Sequence, residues 1–511
     1  MDRDQQALSA LTPARLQGIR RGVEKESLRA LPNGMLAKTS HPQALGSALT
    51  HPHITTDFSE SQVELITGVH ADPQVCLDQL QHIQQFTLRA MGDERLWVSS
   101  MPPCLPEDDT IPIGQYGESN VGRAKSVYRT GLGYRYGRRM QTISGIHYNW
   151  SLPEVSSEAY FGLIRNFRRN ASLLLYLFGA SPAVCSTFVE GRPHQLEELS
   201  PGTLYLPHAT SLRMGRLGYQ SDAQSSLAVS YNSLEGYAHS LQGALTQPYA
   251  AYEAIGIQGP DGAYRQLGTT LLQIENEFYG TIRPKRVTYA GERPLHALRE
   301  RGVEYVEVRL MDLDPFEPMG INTRTMRFLD MFLLHCLTTD SPPDYPQEIA
   351  EMAANQQLVA QRGREPGLQL VRAGEKVGLQ AWGLELLDAM LPIAQALDAS
   401  HGGADYAAAL DHARTGFLRP DTLASARVLQ AMQQEHGGSF VAFGRARSEA
   451  VRAQMLALEL PAHIAFEFAQ ESQASWDDQR VIEAADTMPF EIYRQEYLAP
   501  AHLVPHTKKA A

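Results

Sequence analysis

Residues 21–26, RGVEKE, and residues 55–64, TTDFSESQVE, set carboxylates among residues that favour β-strands. Glu24 and Glu26 are two positions apart, so on a strand both side chains project from one face. Carboxylates that converge in a pocket repel one another unless a positive charge or a shared proton lies between them. This pattern leaves two interpretations open: a divalent cation bound by oxygen ligands, or a proton held for acid–base chemistry.

The composition excludes several classes of protein. The chain has 511 residues, which is enough for a large core and two or three domains, and its apolar fraction of 43% is typical of globular proteins. A net charge of −12 argues against nucleic-acid binding, which needs a basic face. No apolar run reaches the length of a membrane span, and residues 1–6 show no signal-peptide pattern. We therefore expect a cytoplasmic protein that binds neither nucleic acid nor membranes.

The order of predicted elements indicates an α+β fold. Strands are predicted at residues 18–26, 54–67, 141–152, 270–278 and 303–311, and helices at 73–91, 160–178, 225–244 and 323–337. The long, uneven intervals between strands do not fit a doubly wound parallel sheet, so we expect an antiparallel or mixed sheet surrounded by helices.

The composition changes after about residue 342, where Ala, Leu, Gln, Glu and Arg dominate. This predicts helices broken at 366–367, 402–403 and 437–438. We therefore predict a catalytic α+β region over residues 1–340 and a helical C-terminal region over 341–511 that packs on it.

Other predicted strands also carry polar side chains on one face. Tyr305, Glu307 and Arg309 share a face, and His147 shares one with Asn149. The predicted strand at 270–278 carries further acceptors, followed by a basic cluster: Gln273, Glu275, Glu277 and Tyr279, then Arg283, Lys285 and Arg286. Each pattern alone is also typical of a solvated strand face or turn.

Together, these patterns predict a carboxylate-lined cavity over the sheet. Its oxygen ligands and single imidazole favour Mg²⁺ or Mn²⁺ over zinc. Such ions beside arginines position nucleotide phosphates for phosphoryl transfer. From the residues alone, the chain is interpreted as a metal-dependent enzyme that uses ATP.

Ordered blocks of this sequence resemble the proteobacterial glutamate–cysteine ligase family. The blocks are GVEKESLR at 22–29, QTISGIHYN at 141–149, QIENE at 273–277, IRPKR at 282–286 and EVR at 307–309. The resemblance implies that ATP phosphorylates the γ-carboxylate of L-glutamate and that L-cysteine then displaces phosphate, which is the first step of glutathione synthesis. It also implies a curved, glutamine-synthetase-like sheet that forms the floor of an active-site funnel.

The resemblance assigns a role to each matching residue. The implied ligands of Mg²⁺ or Mn²⁺ are Glu24, Glu26, Asp57, Glu64, His147 and Glu307. Arg309 would stabilise the transferred phosphoryl group beside Glu307, and Lys285 and Arg286 would help it to bind the co-substrate ATP. The implied amino-acid pocket consists of Phe58, Tyr128, Gln141, Arg213, Tyr219 and Tyr279.

Several alternatives stay open at this point. The nearest is a related carboxylate–amine ligase that adds another amine to glutamate. A metal-dependent hydrolase would use the same carboxylates without ATP, and a non-catalytic metal- or nucleotide-binding protein would release no phosphate. We expect a monomer, and the family resemblance makes feedback inhibition by glutathione an expectation.

Overall fold

The computed structural model describes residues 10–218, 227–289 and 291–504. The strands in these ranges are β1 (Arg20–Ala30), β2 (Ile54–Thr56), β3 (Gln62–Ile66), β4 (Arg95–Leu96), β5 (Ile146–Ser151), β6 (Ala183–Cys185), β7 (Glu197–Ser200), β8 (Thr203–Tyr205), β9 (Ile282–Lys285), β10 (Tyr305–Met311), β11 (Gln369–Arg372) and β12 (Glu375–Gly378).

The helices surround these strands and fill the C-terminal third of the chain. They are α1 (Pro13–Gln17), α2 (Pro73–Ala90), α3 (Asn120–Tyr136), α4 (Ser157–Phe178), α5 (Leu234–Thr246), α6 (Ala250–Ile255), α7 (Pro294–Arg301), α8 (Thr323–Thr338), α9 (Pro346–Arg362), α10 (Leu379–His401), α11 (Asp405–Leu418), α12 (Ala424–Glu435), α13 (Phe440–Ala457), α14 (Ala462–Ala485) and α15 (Phe490–Leu498). None of these helices is both long enough and apolar enough to cross a membrane.

The central sheet has seven strands, in the order β2-β3-β1-β5-β10-β9, with β4 pairing beside β1. Each of these pairs is antiparallel. The register places Glu26 opposite Glu64 and Glu24 opposite His147, while Glu307 lies between Asn149 and Arg283. Because directly paired residues share a face, these polar side chains all lie on one side of the sheet.

The other face of the sheet is largely apolar, although β1 also buries Arg21 and Lys25 there. The intervening positions include Val23, Tyr148, Trp150, Val306 and Val308, which are all buried. Helices α2 and α4 pack on the strands, and α8 packs on α4. This alternation favours one register, since a shift by one residue would bring the acidic side chains into the largely apolar layer between sheet and helices.

A buried ion pair ties the sheet to the helical layer. The Nη2 atom of Arg21, on β1, lies 2.9 Å from Oδ2 of Asp330, on α8. The hydroxyl of Tyr148 donates a 2.8 Å hydrogen bond to Asp330, and the hydroxyl of Tyr406 lies 3.4 Å from the same carboxylate. This face of the sheet therefore contains a buried polar cluster in which the charges of Arg21 and Asp330 compensate each other.

The predicted α+β class and antiparallel sheet are confirmed, but several element boundaries differ. The predicted strand at 54–67 is a hairpin of β2 and β3, and the strand predicted at 141–152 begins at Ile146 after a short 3₁₀ turn. The helix predicted at 225–244 begins at Leu234, where Ser233 caps it by accepting a hydrogen bond from the Gly236 amide. Residues 225–226 lie outside the described ranges.

The strand predicted at 270–278 is wrong. Residues Glu275–Glu277 form a 3₁₀ turn instead. The Glu277 carboxylate accepts hydrogen bonds from the Gln273 amide, from Arg135 and from the hydroxyl of Tyr136, and Glu275 pairs with Arg293. These two carboxylates are compensated by arginines, so they do not form the predicted acidic strand face.

The C-terminal region is helical, as predicted. Helices α9, α10 and α12 end within a few residues of the predicted glycine breaks, and the small hairpin of β11 and β12 was not predicted. One hydrophobic cluster includes Leu163 of α4, Leu329 of α8, Leu387 of α10 and Leu410 of α11. The C-terminal helices therefore share a core with the sheet region, while the division at residue 340 stays a prediction.

Replacing Asp330 with asparagine should strongly destabilise the protein. The substitution leaves the buried Arg21 guanidinium without a counter-charge, which costs about 3–5 kcal/mol of unfolding free energy. Urea unfolding followed by circular dichroism measures this loss. The control is Asp388→Asn, which removes an exposed partner of Arg414 and should cost less than about 1 kcal/mol. Equal effects of the two substitutions would contradict the structural role of the buried pair.

Candidate active site

A cavity of about 350 Å³ lies over the polar face of the central sheet. The side chains that the sequence analysis proposed as metal ligands all line it: Glu24, Glu26, Asp57, Glu64, His147 and Glu307. All but Asp57 project from β1, β3, β5 and β10, because the antiparallel register aligns their positions. Asp57 lies in the turn that follows β2.

His147 lies at the centre of the carboxylates. Its Nδ1 atom is 3.1 Å from Oε2 of Glu24 and 3.9 Å from Oε1 of Glu307. Its Nε2 atom is 3.4 Å from Oε1 of Glu26. One imidazole therefore contacts carboxylates on both sides of β5.

The acidic side chains on β1 and β3 repel one another. Burial raises the pKa of Glu64 well above its ordinary value, and the carboxylates of Glu24 and Asp57 raise it further. Burial also raises the pKa of Glu26, although His147 acts in the opposite direction. This part of the cavity is short of positive charge, so it favours a bound cation.

Basic side chains on β9 and β10 lower the pKa of Glu307, in contrast to the raised pKa values of Glu64 and Glu26. Burial alone would raise its pKa, but Lys285 and Arg309 hold the pKa of Glu307 well below its ordinary value. The Nζ atom of Lys285 and the Nη1 atom of Arg309 lie 3.3 Å and 3.1 Å from Oε1 of Glu307. Glu307 therefore stays ionised between the acidic and basic parts of the cavity.

The donor set fits a hard divalent cation. Glu24, His147 and Glu307 offer ligand atoms within 4.8 Å of one another, and so do Glu26, Glu64 and His147. The second oxygen of Glu307, Oε2, is buried and has no hydrogen-bond partner among the described residues. Such an oxygen is available to a metal ion, and oxygen-rich sites with one imidazole suit Mg²⁺ or Mn²⁺.

Aromatic and amide side chains form another part of the wall. Phe58, Tyr128, Gln141 and Tyr279 line the cavity. The side-chain nitrogen of Gln141 donates a 3.1 Å hydrogen bond to the Tyr279 hydroxyl. The fold therefore places these four side chains, which the resemblance assigned to the amino-acid pocket, in the same cavity as the carboxylates.

Comparisons with known proteins identify the family. A family model for glutamate–cysteine ligase matches residues 6–359. The chain is 45% identical to a glutamate–cysteine ligase of Alcanivorax borkumensis, with 96% of this chain and 97% of that protein covered. It is 48% identical to one of Pseudomonas entomophila, with coverages of 94% and 93%.

The chain belongs to the glutamate–cysteine ligase family.

A solved structure agrees with this membership. The crystal structure of a Francisella tularensis glutamate–cysteine ligase in complex with AMP matches with a TM-score of 0.90 and 37% identity, covering 94% of this chain and 97% of that one. The activity predicted from the sequence, ATP-dependent ligation of cysteine to glutamate as the first step of glutathione synthesis, is thereby confirmed as that of the family.

Two predicted binding residues do not line the cavity. Arg213 is buried behind the wall, where its Nη2 donates a 2.8 Å hydrogen bond to the backbone carbonyl of Arg309. Arg286 follows the last residue of β9, and its Nε atom lies 3.4 Å from Oε2 of Glu304. The roles assigned to Arg213 and Arg286 in binding therefore stay predictions, and Tyr219 lies outside the described residues.

Three further basic side chains line the cavity: Lys125 and Arg129, which had no assigned role, and Arg283, a member of the predicted basic cluster. Lys125 and Arg129 lie on α3 near Tyr128, and Arg283 lies on β9 two residues before Lys285. Spacing could have revealed two of them, since Lys125 lies three residues before Tyr128 on the helix and Arg283 lies two residues before Lys285 on the strand. No predicted site residue lies near Tyr493 and Tyr497 of α15 in the sequence, so spacing could not have revealed them.

Replacing Glu64 with glutamine should stabilise the metal-free protein. Because the pKa of Glu64 is raised in the folded state, its ionised form costs stability at pH values above its unfolded pKa, and glutamine removes that cost. We expect a gain of about 1–2 kcal/mol in urea unfolding at pH 8 with a chelator present. Added Mg²⁺ should then stabilise the wild type more than the variant.

The control for this comparison is Glu304→Gln, which changes a half-exposed glutamate outside the cavity. Its unfolding free energy should stay within about 0.5 kcal/mol of the wild type. A loss of stability in metal-free Glu64→Gln would contradict the repulsion described here.

Proposed function

We propose that this cavity is the site where the chain binds ATP, L-glutamate and L-cysteine and joins the two amino acids. The observation that carries the proposal is the position of Glu307, which lies between a carboxylate cluster on one side and Lys285 and Arg309 on the other. This arrangement suits a nucleotide whose phosphates contact cations on both sides. The nucleotide in the related Francisella tularensis enzyme supports the same interpretation.

The carboxylates and His147 are proposed to hold Mg²⁺ or Mn²⁺. The ligands would come from the two groups around His147, with Asp57 nearby: Glu24, Glu26, Asp57, Glu64, His147 and Glu307. When bound, the metal would neutralise triphosphate charge and orient the terminal phosphate.

The basic side chains are proposed to act on the phosphoryl group. Arg309 and Lys285 can donate hydrogen bonds to phosphate oxygens as negative charge develops. Arg283 lines the same part of the cavity and is held by its hydrogen bond to the carbonyl of Asn276. Arg213 supports this group indirectly, through the Arg309 backbone.

The proposed reaction has two steps. An oxygen of the glutamate γ-carboxylate attacks the γ-phosphorus of ATP, and ADP leaves. The cysteine nitrogen, after losing a proton, then attacks the γ-carbonyl carbon, and phosphate leaves with the bridging oxygen. Side chains of the cavity bind and orient both amino acids, which supplies much of the rate enhancement.

The aromatic wall is proposed to bind cysteine. Phe58, Tyr128 and Tyr279 provide a surface that suits a small polarizable thiol. The hydrogen bond between Gln141 and Tyr279 fixes the orientation of that surface. Monomeric state, cytoplasmic location and inhibition by glutathione remain predictions from the sequence and the resemblance.

Phosphate release tests the proposed function. Purified protein with ATP, glutamate and Mg²⁺ should release phosphate rapidly only when cysteine is added, and γ-glutamylcysteine should accumulate in equal amounts. Chelation of Mg²⁺ should abolish both products. Release that depends on another amine would indicate a different ligase. Metal-dependent hydrolysis of another substrate in the absence of ATP, with no phosphate release from ATP, would indicate a hydrolase.

Replacing Tyr279 with phenylalanine should chiefly affect cysteine. The substitution keeps the ring but removes the hydroxyl that bonds to Gln141, so the KM for cysteine should rise about tenfold while the KM for ATP changes little. Steady-state kinetics with each substrate varied in turn measure the two constants. Tyr289→Phe, at an exposed position, is the matched control. An unchanged KM for cysteine would contradict a role of Tyr279 in binding cysteine.

A further inference from the structure

The C-terminal helix α15 contributes two aromatic rings to the cavity wall. Tyr493 and Tyr497 both line the cavity, and their rings are nearly parallel, at 8° with centroids 6.0 Å apart. The helix begins at Phe490, well beyond residue 359, where the matched family model ends. The wall of the cavity is therefore completed by a part of the chain that the family model does not cover.

Contacts from Arg293 and Arg494 anchor the helix that carries these rings. The Arg293 side chain donates a 2.7 Å hydrogen bond to the backbone carbonyl of Tyr497, and its guanidinium lies 4.7 Å from the centre of the Tyr497 ring. The Glu275 carboxylate fixes Arg293 in turn through hydrogen bonds to Nε and Nη2. Arg494 donates a further hydrogen bond to the backbone carbonyl of Leu267, another lining residue.

The surroundings of the two tyrosines differ in chemistry from the floor of the cavity. The floor carries carboxylates and basic groups, whereas the lining residues from α3 and the loop before β9 include several apolar side chains: Val121, Ala124, Leu132, Leu267 and Ile274. Three of these apolar side chains, Ala124, Leu267 and Ile274, also pack in one hydrophobic cluster with Tyr493. This region suits a flat, uncharged group that can lie on aromatic rings.

We propose that Tyr493 and Tyr497 bind the base of the nucleotide, an inference that rests on the proposed function. Glutamate is charged, cysteine is small, and the triphosphate is a polyanion. The base is the large, planar, uncharged group among the proposed ligands. Stacking on aromatic side chains is a common way for proteins to bind a base, because each base has a π-face.

Binding measurements with two ligands test this inference. Isothermal titration calorimetry compares ATP with inorganic tripolyphosphate, both with Mg²⁺, because the two share phosphate chemistry but only ATP carries a base. In Tyr493→Ala and Tyr497→Ala, ATP should bind about tenfold or more weakly, while tripolyphosphate binding should change by less than about twofold. Tyr493→Phe keeps the ring and should bind ATP as the wild type does.

Tyr345→Ala, at an exposed position before α9, is the matched control and should leave both affinities unchanged. Circular dichroism verifies that each variant is folded. Equal losses for ATP and tripolyphosphate, unchanged ATP binding, or a rise confined to the KM for cysteine would each overturn the inference. Absence of cysteine-dependent phosphate release by the wild type would instead contradict the proposed function, so the two failures are distinguishable.

Discussion

Repulsion among buried carboxylates is the constraint on which the rest of the site depends. The pairing of β1 with β3 and β5 sets Glu26 opposite Glu64 and Glu24 opposite His147, so the acidic side chains have no freedom to separate. An apolar face packed on α2 and α4 holds this register, since any slip would bury charge in the core. The cavity therefore carries an electrostatic cost that a bound cation would offset.

The two sides of the cavity differ in charge, and the pKa values of their carboxylates shift in opposite directions. Burial and neighbouring carboxylates raise the pKa of Glu64, whereas Lys285 and Arg309 hold the pKa of Glu307 low. A metal-bound triphosphate requires an acidic region beside a basic region. The acidic region binds its positive metal ions, and the basic region binds its negative phosphates. Arg213 supports the basic region from behind through the backbone of Arg309.

Strand periodicity predicted which polar side chains share a face of the sheet, and the family resemblance assigned their roles. Glu24 and Glu26, His147 and Asn149, and Glu307 and Arg309 each share a face at a spacing of two, and antiparallel pairing aligns them. The same reasoning failed at Glu275 and Glu277, because arginines distant in sequence, Arg293 and Arg135, hold them in a turn. Arg286 was assigned to nucleotide binding from the resemblance, and it is not among the residues that line the cavity.

Contacts between residues distant in sequence determine the parts of the cavity wall and of the core that strand periodicity does not predict. Tyr493 and Tyr497 reach the cavity because α15 packs on α3 and because Arg293 binds the Tyr497 carbonyl, and neither contact has a local pattern in the sequence. The hydrophobic cluster shared by α4 and α10 likewise joins the helical C-terminal region to the sheet region.

Anomalous diffraction from crystals grown with Mn²⁺ and ADP would test the central claim most directly. We expect Mn²⁺ peaks at coordination distance, about 2.0–2.3 Å, from carboxylate oxygens of the cluster around His147, with the diphosphate in contact with the ions. Nucleotide bound with Mn²⁺ elsewhere, and no anomalous density beside Glu24, Glu26, Glu64 or Glu307, would contradict it.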